Sequence, residues 1–244
     1  MRSSWFRIGA LAAAAALTAG AGYGAVLAQT DGTPFEVSDF NQVQIEGAGH
    51  AIITIGSPAA VTVSGPQDQI SNLQVQVWFN TLEIELNDDN NQSAGADLVY
   101  HITVPSLSQI ELQGGVSAEV DGLTTDSLEI SVEDNANLQM TKLSTQRLES
   151  QVEGNATVSI TGSAESQQSE ADDNATFDAL QVDSKTIEVE GQGNAHSKVR
   201  FSDSLSGQVE DNAVVEYMTE SGTVSVESQD AGTVTQLPFE ALSA

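Results

Sequence analysis

Cysteine is absent from the 244 residues. That excludes disulfides, a zinc–thiolate site, a catalytic thiol and a lipidated cysteine anchor. Basic residues are nearly as scarce: seven Lys and Arg stand against 35 Asp and Glu, for a formal net charge of −28. Phosphate backbones and anionic lipid surfaces repel such a chain, so nucleic acid is excluded as a partner. Aromatic residues make up only 5% of the chain. The apolar positions are mainly Val, Ile, Leu and Ala, a mix that suits thin, layered β packing better than a bulky globular core.

What is present begins with a leader. Residues 1–7 form a positive segment carrying Arg2 and Arg7, and residues 8–24 are rich in Ala, Leu and Gly. Val26, Leu27 and Ala28 then supply the residues of a cleavage site. This predicts a signal peptide over 1–28 and export to the periplasm, the cell surface or the medium, with a retained N-terminal anchor as the alternative. Past it, no segment reaches the length of a membrane span. Processing at Ala28 leaves five basic side chains, Lys142, Arg147, Lys185, Lys198 and Arg200, against all 35 acidic ones. These acids alternate with apolar residues, the pattern of a folded strand surface rather than of a disordered acidic tail.

Between Phe35 and Pro105 apolar residues recur at every second position, the signature of half-buried strands. The runs are Val43–Ile45, Ile53–Ile55, Val61–Val63, Leu82–Leu86 and Val99–Val104, with a polar loop over 87–97. From Gln109 onward the chain repeats itself. A step of Asp or Gly followed by Asn and Ala returns at Asn135, Asn155, Asn174, Asn194 and Asn212, spaced by 20, 19, 20 and 18 residues. Gly114-Gly115-Val116 extends the array upstream by 20, Asp230-Ala231-Gly232 extends it downstream by 18, and Gly47-Ala48-Gly49 is a distant first copy.

Each copy offers two apolar runs separated by a tight turn, for example Leu148 and Val152, then Ala156, Val158 and Ile160. One such unit cannot bury its own face, whereas rungs stacked about 4.8 Å apart satisfy the backbone and share a core. The expected fold is therefore all-β, a coil of roughly 20-residue rungs with a more irregular N-terminal β region. Asp-Asn and Gly-Asn pairs suit a corner that needs positive φ, with the following Ala turned inward. The Asn side chains are expected to bond one another along the stack. The third copy, around Asp173-Asn174-Ala175 and Phe177, is degenerate, and irregular stretches such as residues 163–170 are expected to bulge outward as longer corners.

Beside the asparagines runs an acidic ladder: Glu133, Glu153, Asp172, Gln192 and Glu210, followed by Asp134, Gly154, Asp173, Gly193 and Asp211. Stacked carboxylates repel, and Ca²⁺ would relieve them. Neither a calcium β-roll nonapeptide nor an EF-hand loop is present. His50, His101 and His196 have no metal-site spacing, and there is no nucleophile elbow, P-loop or dinucleotide fingerprint. Lys185, Lys198 and Arg200 are the one basic group; Lys198 and Arg200 share a strand face, where pairing with nearby acids is favoured over an anionic ligand. No catalytic, cofactor-binding or metal-ligating residue is assigned, and the chain is not read as an enzyme.

The order of Phe40, Val43, Ile45 and Gly47, then Ile53, Ile55 and Gly56, then Val61, Val63 and Gly65, resembles the opening of the "putative auto-transporter adhesin, head GIN domain" family. The strand at Leu82, the stretch Ile102–Leu107, the Gly114-Gly115-Val116 turn and the Asn-Ala corners continue the likeness. The resemblance implies a single-stranded, right-handed β-helix on a secreted or outer-surface bacterial protein, with no catalytic residues. The corners here are mostly Asn-Ala where the family often shows Gly-Ser or Gly-Ile-Asn-like triplets, and no auto-transporter barrel or trimeric stalk is recognisable. The resulting organisation is a signal peptide (1–28), a short linker (29–34), a head-GIN-like β-helix (35–237) and a tail (238–244) that is a candidate end cap. The expected role is an adhesin-like binding module that presents strand faces to a protein or glycan. A structural envelope module with weak Ca²⁺ binding is the alternative, and a β-helix carbohydrate-active enzyme the more distant one.

Overall fold

The computed structural model describes residues 32–86 and 97–238. The leader, most of the polar loop and residues 239–244 of the tail lie outside the described residues. In chain order the strands are β1 (Thr33–Phe35), β2 (Gln42–Ile55), β3 (Ala60–Ser64), β4 (Leu73–Trp78), β5 (Thr81–Leu86), β6 (Val99–Val104), β7 (Gln109–Asp121) and β8 (Thr124–Val132). They continue as β9 (Asn137–Val152), β10 (Thr157–Ala171), β11 (Thr176–Gly191), β12 (His196–Val209), β13 (Val214–Met218), β14 (Thr223–Ser228) and β15 (Thr233–Gln236). A single turn of helix, α1 (Gln67–Ile70), separates β3 from β4. β1 begins at Thr33, inside the span expected as linker, and pairs antiparallel with β3.

The strands stack as a β-solenoid of about six turns. Each long strand is one coil bent at a corner, and it pairs in parallel with the coils before and after it: β9 with β10, β10 with β11, β11 with β12. Each coil has three sides where the sequence pattern suggested two. In β9 these are a leading side (Asn137–Thr141), a short side around Leu143–Gln146, and a trailing side (Arg147–Val152) that runs into the next Asn-Ala corner. The short side escapes the apolar pattern because it is only a few residues long and the second of its two inward positions is often small or polar: Leu143 is followed by Thr145, and Val182 by Ser184.

Residues 163–170 do not bulge. They lie within β10, in register with both neighbours, and Gln167 and Ser169 occupy the core positions that Leu148 and Ser150 fill one rung earlier. Backbone pairing on both edges holds this polar stretch in the coil. Gln167 donates its amide hydrogen to the Ser184 hydroxyl, whereas Gln167 Oε1 and the Ser150 and Ser169 hydroxyls find no partner. At the downstream end the register is 19 rather than 18, since Val209 pairs with Ser228 and Val214 with Thr233.

Residues 57–107 interrupt the repeat between β2 and β7, which pair directly from Gln42–Gln109 to Thr54–Asp121. The excursion closes the N-terminal end of the coil. β5 continues the trailing sheet beside β2 and carries β4 antiparallel, while β6 continues the leading sheet and carries β3 and β1. Tyr100 is fully buried here and donates its hydroxyl hydrogen to the Ala48 carbonyl at 2.9 Å; burial pushes its pKa up to about 12. The core is continuous from Phe40 to Val215, with Ala136, Ala156, Ala175, Ala195 and Ala213 all turned inward at the corners.

Candidate functional site

The Asn-Ala corner is a built structural device. Positive φ falls on the residue before each asparagine: Asp134 (63°), Gly154 (75°), Asp173 (62°), Gly193 (69°) and Asp211 (56°). The asparagines instead form an unbroken side-chain ladder. Asn155 donates to Asn135 at 3.2 Å, Asn174 to Asn155 and Asn194 to Asn174 at 3.1 Å, and Asn212 to Asn194 at 3.2 Å. With each amide engaged by its neighbours, this corner has little left with which to hold a ligand.

The trailing side is a flat, acidic sheet. One outward column runs Glu83, Gln44, Glu111, Ser131, Gln151, Glu170, Glu190 and Gln208 across successive strands. Partial burial, and then neighbouring carboxylates, raise the pKa values of Glu111, Glu170 and Asp172 above the ordinary carboxylate range. The ladder beside the corners is diluted by alternation: Gly154 and Gly193 separate Asp134, Asp173 and Asp211, and Gln192 interrupts the glutamates. Among the described residues no three acids or histidines converge on a point where a metal ion could sit.

The short side forms a groove. About 1160 Å³ of space runs along the coil axis over six successive tiers, from Thr124 to Ser221. Its floor is made of small or single-ring residues, Thr125, Thr145, Ala164, Ser184 and Phe201. One wall is the column Thr124, Ser144, Ser163 and Asp183; the other carries Asp126, Gln146, Glu165 and Lys185. The walls are pre-set by bonds between tiers. Gln146 donates to Asp126 at 3.0 Å, Lys185 to Glu165 at 2.8 Å, and Arg200 to Asp183. Five tier-to-tier steps of about 4.8 Å make the groove roughly 24 Å long.

A sequence profile of the family described as "Putative auto-transporter adhesin, head GIN domain" matches residues 39–221. The chain belongs to this family. As a head GIN domain it is similar to a solved structure described as a putative adhesin from Bacteroides fragilis, at 22% identity and a TM-score of 0.78, over 84% of this chain and 95% of that one. A putative adhesin from Parabacteroides merdae matches at 15% identity and 0.66, covering 84% and 95% of the two chains. A structure described as a putative lipid binding protein from Parabacteroides distasonis matches at 11% and 0.65, covering 85% and 98%. At these identities the likeness is one of fold. No curated protein matches the chain in sequence.

In this head GIN domain the sequence-derived basic group does not act as one cluster. Lys198 lies 3.7 Å from Glu216, which also meets His196 at 2.9 Å, while Arg200 and Lys185 belong to the groove and pair with Asp183 and Glu165. All three are matched by acids, as expected for Lys198 and Arg200. Elsewhere Lys142 pairs with Asp121 at 3.0 Å, and Arg147 with Glu149 at 3.1 Å. Sequence reading passed over the groove because its walls mix Ser, Thr and Gln with paired charges at positions with no motif; the available signal was the vertical recurrence of small polar residues at the rung spacing. It also passed over the β4–β5 hairpin, whose alternation at Leu73, Val75 and Val77 was present but whose turn holds no glycine.

Proposed function

We propose that this head GIN domain is an exported, non-enzymatic binding module of adhesin type, and that the short-side groove receives an extended glycan chain. The observation that carries this reading is the repeat of the groove itself. A hydroxyl and a charged or amide group recur along it once per rung, at about 4.8 Å, close to the length of one pyranose ring; an extended peptide advances only about 3.3 Å per residue and falls out of step. Concave lining by a few fixed polar groups suits ligand recognition. Ion-paired lysine and arginine leave no unmatched positive charge for a uronate or phosphate, so a neutral chain fits best.

Family membership supports the adhesin-type role, and the leader supports export. No helix among the described residues is long and apolar enough to cross a membrane. A glycan microarray read with the purified protein tests the reading. Binding to at least one class of linear neutral polysaccharide is expected, and signals at background across all linear glycans would overturn it. The intact mass of protein recovered outside the cytoplasm tests the leader, with loss of residues 1–28 expected.

A further inference from the structure

The β4–β5 hairpin turns through Phe79 and Asn80, both in the left-handed region at φ 45° and 70°. Two-residue turns of this kind match the strand twist, and asparagine tolerates the conformation; a phenylalanine there is strained. Nothing in the packing repays that strain, because Phe79 is 84% exposed and Trp78 beside it is 63% exposed. What Phe79 does contact is Trp78, edge to face, with ring centroids 4.9 Å apart and planes at 81°. Strain of this kind is held where a surface has work to do, and adjacent exposed large aromatics are the unusual feature of a soluble surface.

The surroundings narrow the partner. Trp78 heads the outward column that continues through Thr81, Gln42 and Gln109 on the trailing sheet. The adjacent column begins with Gln76, whose amide donates to Glu83 at 2.7 Å. An aromatic plane flanked by amide and carboxylate groups matches the apolar C–H face and the equatorial hydroxyls of a sugar ring. The same carboxylate, on a chain of net charge −28, opposes phosphates and uronates and would be desolvated by insertion into a bilayer.

We infer that the hairpin tip is a second carbohydrate contact, separate from the groove: Trp78 stacks on a neutral sugar ring, Phe79 braces the indole, and Gln76 with Glu83 bonds its hydroxyls. The hairpin closes the N-terminal end of the trailing sheet, whereas the groove runs over the short sides, so either contact can fail without the other.

The chain holds two tryptophans, Trp5 and Trp78, so in the full-length Trp5→Phe protein the emission reports the tip alone. Titration with cellohexaose, xylohexaose, mannohexaose and chitohexaose is expected to give a saturable change in that emission with at least one of them. Calorimetry with that sugar should show a loss of tenfold or more in affinity for Trp78→Ala. Phe79→Gly, which relieves the backbone, should raise Tm yet weaken binding several-fold. No response to any of the four sugars, a blue shift with phosphatidylcholine vesicles instead, or unchanged affinity in Phe79→Gly would each overturn the inference.

Discussion

At position 169 a serine hydroxyl is buried with no partner, in a column whose other members include Ile130 and Val189. The neighbouring rung repeats the situation at Ser150. An unpaired buried hydroxyl costs about 1–3 kcal/mol, so Ser169→Val is expected to stabilise the fold by about 1 kcal/mol, read as a raised Tm in calorimetry; a lowered Tm would mean that the hydroxyl is satisfied. Val158 gives the opposite case. It is fully buried between Leu138 and Phe177, and Val158→Asp is expected to cost several kcal/mol in denaturant unfolding. Gly154 belongs to the corner: its φ is 75°, and a Cβ there would lie 2.9 Å from the Asp134 carbonyl oxygen. Gly154→Asp would also stack a third carboxylate between Asp134 and Asp173, so a loss of about 1–3 kcal/mol is expected.

The corner is the element that sequence made most legible. Repetition gave its position and the inward alanine, and the chemistry of asparagine gave the ladder. The division of labour inside it came from geometry: backbone reversal falls to Asp or Gly, and the asparagine is left free to bond its neighbours. Asn174 makes two ladder bonds, one in each direction. Asn174→Ala should therefore cost more than Asn212→Ala, whose side chain makes one such bond to Asn194, by about 0.5–1 kcal/mol in matched unfolding experiments. Equal costs would show that the ladder adds nothing beyond the turn. The short side was illegible for a physical reason: its alternation spans only two inward positions, and Thr145, Ala164 or Ser184 at the second of them looks like a loop. The third rung was misjudged on the same ground, because pairing on both edges tolerates Gln167 and Ser169 where sequence alone suggests a bulge.

For the whole molecule, charge is the term that conditions change most readily. Glu111, Glu170 and Asp172 have folded pKa values raised by burial and then by neighbouring carboxylates. The folded chain therefore binds more protons than the unfolded chain between the ordinary carboxylate pKa and the raised values. Their contribution favours the fold at mild acidity and is lost as pH rises through the folded pKa. Tm is expected to be higher at about pH 5 than at about pH 8, and the gap should shrink as salt screens the trailing sheet. A Tm that is flat or falling on mild acidification would contradict this picture of the acidic face.

On the proposed function, a partner chain lies in the groove and not on the flat acidic sheet. Calorimetric titration of a neutral linear polysaccharide bound by the wild type, repeated with Ser163→Trp in the groove wall and Gln151→Trp on the trailing sheet, tests it most directly. Both positions are exposed strand residues, so both variants are expected to fold and to melt as the wild type does. Ser163→Trp is expected to abolish binding and Gln151→Trp to leave it intact; retained binding in Ser163→Trp, with loss in Gln151→Trp, would place the partner on the acidic sheet instead.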